Sequence, residues 1–149
     1  GSLYISDQAY DIIELVWPDR IDFLFADAEN SAAETGVDGI YLLDVAEPGL
    51  ASFIGADEIS IDFGFGYFAL IQEVAPGTTV YLRGDMNYHV NDGVQTLTDI
   101  PVTVGFTDGA AGVGGRVIFT SFHQETSDGV TEQLDGPEDA VLRYLVFEL

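Results

Sequence analysis

The stretch Gly114-Gly115-Arg116-Val117-Ile118-Phe119-Thr120-Ser121-Phe122-His123-Gln124-Glu125 decides how this chain is read. A glycine-rich turn leads into a buried strand, and a His-x-Glu pair follows at the strand's C-terminal end. In an open α/β sheet that end is where ligands and catalytic groups collect. The expectation drawn from it is an α/β fold: a mainly parallel sheet flanked by helices, with an antiparallel hairpin added around Met86–Leu97.

Outward from that stretch, the other elements follow from pattern and punctuation. Leu3-Tyr4-Ile5 is a short apolar strand, with Ser6-Asp7 as a cap for a helix over Gln8–Trp17. Tyr10, Ile13, Val16 and Trp17 fall on one stripe of that helix, widened by Ile12 and Leu15, and Pro18 ends it. Ile21–Phe25 and Gly39–Val45 read as extended. Glu47-Pro48 opens a short helix closed by Gly55. Glu58–Phe63 alternates apolar and polar, the mark of a half-buried strand. A helical segment is expected around Ala69–Val74. Thr79–Arg83 and Met86–Val90 are strands, and Asn91-Asp92-Gly93 turns the chain back into Val94–Leu97, since glycine supplies the positive φ of a tight hairpin. Ile100–Phe106 is a further strand. Pro137–Phe147 forms a last helix, apolar on nearly every side.

Composition narrows the function classes. The 149 residues suit one domain with a real core. Twenty-six acids face four bases, Arg20, Arg83, Arg116 and Arg143, for a net charge of −22. Four scattered arginines build neither phosphate contacts nor a basic stripe, which excludes nucleic acid and anionic membranes as partners. The balance suits high salt, divalent cations or an exported, cell-surface setting where self-repulsion is screened. The absence of cysteine removes disulfides and thiolate chemistry.

Three constellations carry chemistry. His123 and Glu125, two apart on extended backbone, share a face; a carboxylate beside an imidazole fixes its tautomer, the orienting half of a nucleophilic triad. The plain alternative is a structural histidine beside a solvated acid. Second, Asp85, Asn87 and Asp92, and separately Asp128 and Asp135, offer hard oxygens of the kind calcium takes, without EF-hand spacing. Hairpin and loop chemistry explains the same residues. Third, Phe63–Phe68 is an aromatic run fit for a sugar or partner, or for a core. Gly112-x-Gly114-Gly115 precedes a strand and has no lysine, so it is not a phosphate loop.

Val117–Glu125 resembles the C-terminal strand and His-Pro-Glu motif of class I glutamine amidotransferases, and Gly1–Tyr10 resembles that family's strand–elbow–helix. The run Gly115–His123 is also similar to non-catalytic amidotransferase-like domains of exported bacterial proteins. The resemblance implies an amidotransferase- or flavodoxin-like fold, with His123 as base, Glu125 as orienting acid, and Ser6 or Asp7 where the family has its cysteine. Without a thiolate it implies a catalytically silent relative. Two functions stay open: a non-catalytic acidic binding or assembly module of an exported or cell-surface protein, and a hydrolase-like enzyme using Asp7 or Ser6 with His123 and Glu125. No cofactor is expected beyond calcium at the acidic clusters. In that family further strands precede the elbow strand. The single domain 1–149 is therefore expected to be the C-terminal part of a larger one, or to complete an open sheet edge with a protein partner or its own copy.

Overall fold

Residues 1–25, 33–64, 68–91, 93–109, 114–122 and 136–148 are described by a computed structural model. Among them the strands are β1 (Ser2–Ser6), β2 (Ile21–Phe23), β3 (Gly39–Val45), β4 (Glu58–Phe63), β5 (Ile71–Val74), β6 (Thr79–Val90), β7 (Gly93–Thr107) and β8 (Arg116–Thr120). The α-helices are α1 (Asp11–Val16), α2 (Pro48–Ile54) and α3 (Pro137–Arg143). A 3-10 turn, Asp7–Tyr10, leads into α1, and a π-helical turn, Tyr144–Glu148, follows α3.

Six strands form one sheet in the order β1-β8-β7-β6-β3-β4, and β2 pairs with β5 in a separate ribbon. Only β1 and β8 run parallel; the other four pairings of the large sheet are antiparallel. The expected mainly parallel α/β sheet is therefore wrong, and so is the amidotransferase- or flavodoxin-like fold that the resemblance implied. The molecule is a curled, mixed sheet dominated by antiparallel strands. The misreading has a physical source. The run Val117–Thr120 is buried on both faces, but two-sided burial does not dictate strand direction.

Here the two faces are covered by different things. On one face, Val117 and Phe119 of β8 and Val104 and Phe106 of β7 pack with Ile5, Tyr10 and Ile13, and with Ile21, Phe23 and Ile71 of the small ribbon. Phe23 links Tyr10 and Phe119, each ring pair 5.2 Å apart. On the other, Ile118 belongs to a core with Leu43, Ile61, Phe63 and Phe122, closed by Leu50 of α2 and by Val141 and Leu145 at the C-terminal helix. Beyond β6 this second core alone remains: β3 and β4 bury every other residue, and Ile40 (72% exposed) and Leu42 (60%) face outward.

Three local corrections follow. Ile71–Val74 is a strand, not the helical segment expected, because its partner β2 offers a ladder that a short isolated helix lacks. Helix α1 buries Ile13, while Ile12, Leu15 and Val16 are exposed, so the stripe is narrower than its spacing suggested. The C-terminal helix buries Val141 and Leu145 but exposes Val146 and Phe147; it is covered on one side. Two pairs of expected strands also fuse, into the long β6 and β7, and register shifts along β6 curl the ribbon.

Candidate functional site at the β1 edge

The parallel register of β1 and β8 sets Ser2 beside Arg116 and Ser6 beside Thr120. Both strands therefore end at the same margin of the sheet, where Ser6 turns into the 3-10 helix and β8 leads through Ser121 to Phe122. Asp7 sits at this exit with φ of 52°, the left-handed region that a non-glycine residue enters at a cost. The Ser6 side chain makes no cap bond to the helix, so the capping role expected of it is absent.

A hydroxyl network ties the two strands. Thr120 Oγ1 donates to the Phe122 carbonyl at 2.7 Å, which uses its single proton. The Tyr4 hydroxyl, 2.8 Å away, is then the donor to Thr120. Burial pushes the Tyr4 phenol above its ordinary pKa. Thr103, register partner of Thr120, and Ser121 are buried beside it with hydroxyls that find no bond among the described residues. Sequence reading missed the Tyr4–Thr120 pair and the buried hydroxyls of Thr103 and Ser121. Tyr4 and Thr120 are 116 residues apart, and only the register brings them together. His123 and Glu125 lie outside the described residues, as do Asp92, Asp128 and Asp135.

Asp85 and Asn87 are described, and both serve the β6–β7 ribbon. Asp85 Oδ1 accepts from the Asp99 backbone N–H at 2.9 Å, and Asn87 Oδ1 accepts from Thr96 at 2.6 Å. Asp99, itself at φ of 57°, pairs with Arg83 at 2.6 Å where the ladder shifts between Gly84 and Met86. These acids stabilise a bulge, and no cluster of three metal-ligating side chains exists among the described residues.

The far end of β8 holds a second polar group. Arg116 lies over the Tyr81 ring at 5.7 Å and bonds its hydroxyl. Glu47 Oε2 caps α2 by accepting from Leu50 N at 2.6 Å and also accepts from the Tyr144 hydroxyl at 2.9 Å. Burial alone would raise the Glu47 pKa. The N–H groups of Gly49 and Leu50, the Tyr144 hydroxyl and Arg116 together outweigh it and hold the carboxyl below its usual range. Burial lowers the Arg116 pKa, offset in part by Tyr144 and Glu47. A Cβ at residue 49 would collide with the Tyr144 hydroxyl and force that side chain to shift. This group latches the C-terminal helix to the sheet. A hollow of about 650 Å³ beside His89, Asn91 and Val94 lies at the hairpin, far along β7 from Thr103.

The outer side of β1 is the remaining feature. Arg116 N donates to Gly1 O, and in a parallel ladder this phase turns the N–H and C=O groups of Leu3 and Ile5 toward β8. Those of Ser2 and Tyr4 then point away from the sheet, where no described strand meets them. Compared with protein-family models, curated proteins and solved structures, the chain matches none.

Proposed function

We propose that this chain is a non-catalytic acidic binding or assembly module of an exported or cell-surface protein, and that β1 is the edge it binds with. The observation that carries the reading is the outer row of β1: the backbone of Ser2 and Tyr4 points outward, flanked by Leu3 (43% exposed) and Tyr4 (38%). An uncharged, unbulged edge of this kind is a template for another strand. The lack of a cysteine nucleophile and the −22 charge support binding over catalysis; the exported or cell-surface setting rests on the acidic composition alone. Amide exchange tests it. In the monomeric chain, Leu3 and Ile5 amides are protected and the Tyr4 amide exchanges freely; a protected Tyr4 amide means the edge is already covered, and the reading falls.

A second reading, the hydrolase-like one, is favoured by a single observation: Asp7, at positive φ, sits at the margin where β1 and β8 both end. Turnover of p-nitrophenyl esters or phosphates that Asp7→Asn abolishes, with Tm unchanged, establishes it. Equal background rates in both proteins remove it.

A further inference from the structure

We infer that the occupant of the β1 edge is a cationic extended segment of another protein, paired through the Ser2 and Tyr4 backbone; this rests on the reading of β1 as the binding edge. Three features point to it. From Ser2 to Ser6 the strand carries no charge, proline or bulge, so nothing on it repels an incoming backbone. Its two shoulders differ: Leu3 lies on the face that α1 covers, and Tyr4 on the face of Thr120. An added strand can therefore rest alternate side chains on both. The third is charge. Asp7 follows the strand directly, Asp11 and Glu14 lie in the α1 helix after it, and the chain carries −22 overall. A second copy brings the same charge to within a Debye length, about 8 Å at physiological salt, and is repelled. A strand with lysine or arginine at alternate positions is attracted and steered toward the edge.

The test uses fluorescence anisotropy with three labelled peptides, KVKVKVK, SVSVSVS and EVEVEVE, on the wild-type chain and two variants. Tyr4→Pro deletes an outward N–H and leaves the β8 ladder intact, a substitution that edge strands tolerate. Tyr4→Phe keeps the backbone and loses only the hydroxyl. Because Tyr4→Pro could unfold the chain, KVKVKVK is also made N-methylated on every valine, or on every inner lysine. A paired strand turns one alternate set of amides to its neighbour, so one methylated form loses binding and the other keeps it, at equal charge.

The expected result is KVKVKVK binding about tenfold tighter than SVSVSVS, EVEVEVE not binding, Tyr4→Phe without effect, and binding lost in Tyr4→Pro and in one methylated peptide. Equal binding of KVKVKVK and SVSVSVS, still sensitive to the edge changes, overturns the cationic partner and leaves the binding edge standing. So does a salt-promoted dimer that Tyr4→Pro abolishes, which makes a second copy the occupant. Binding of KVKVKVK that ignores both Tyr4→Pro and both methylations is diffuse charge attraction. That outcome, or no binding and no edge-sensitive assembly at all, overturns the inference and the edge reading together.

Discussion

The two margins of the large sheet, β1 and β4, are handled in opposite ways. Strand β4 carries Glu58 and Asp62 and lies against α3, whose Glu138 carboxylate accepts the Asp62 N–H at 3.2 Å. Charge and a covering helix are the usual defences of an exposed edge. Strand β1 has neither: its five residues are uncharged, its register is continuous, and no described element covers its outer side. Among the described residues, one margin of the sheet is charged and partly covered, and the other is neither. Strand margins are open by default, and closing one takes specific residues; their absence at β1 is what makes that margin the candidate for binding.

The largest expected effect separates the two margins. Phe119 is fully buried, on the only described strand that β1 pairs with, and edge-on to Phe23. Phe119→Ala should cost about 3–5 kcal/mol in urea unfolding, with the Leu3 and Ile5 amides losing protection before that of Asp62. Simultaneous loss at both margins makes the sheet one cooperative unit and breaks the contrast.

Next comes pH, through the latch that ends the helix covering β4. The Glu47 pKa is depressed in the folded chain. Its stabilising contribution is thus present above the unfolded carboxylate value and fades as pH falls through the lower folded value. Acidification should loosen the C-terminal helix and the Asp62 amide while leaving β1 alone. Glu47→Gln should cost about 1–2 kcal/mol at neutral pH and remove that acid limb. An unchanged acid limb in Glu47→Gln assigns it to other carboxylates.

Salt acts on the whole chain more gently. Screening of the −22 charge between about 10 mM and about 500 mM NaCl should raise Tm by about 2–4 °C, or roughly 1 kcal/mol, with the chain still monomeric by light scattering. A flat melt removes the electrostatic argument for keeping copies apart at β1. The smallest effect is the cover itself. Glu138→Ala should cost only about 0.5 kcal/mol, an exposed hydrogen bond, yet speed exchange at Asp62. No change there means that the helix backbone, not the carboxylate, shields β4.

By itself the sequence determined the local elements. The alternation of Glu58–Phe63 coincides with β4, Glu47-Pro48 and Gly55 bracket α2, and Asn91 to Gly93 closes the β6–β7 hairpin, where Val90 pairs with Gly93. Leu3–Ile5 is a strand as read, the strand read over Arg116–Phe122 ends at Thr120, and Ser6-Asp7 is the exit of the first. Each rests on propensity, periodicity or turn chemistry acting over a few residues. Only the tertiary structure decided the rest: that one pairing of the large sheet is parallel and four are antiparallel, that Ile71–Val74 joins β2, and that the Tyr4 and Thr120 hydroxyl groups meet. It also decided which margin the C-terminal helix covers. Ser6 and Thr120 are neighbours across 114 residues of chain, and Asp62 and Glu138 across 76. A buried apolar run satisfies its side chains equally with a neighbour running either way. Direction, register and edge are therefore set by how distant segments share the two cores, which no local pattern encodes.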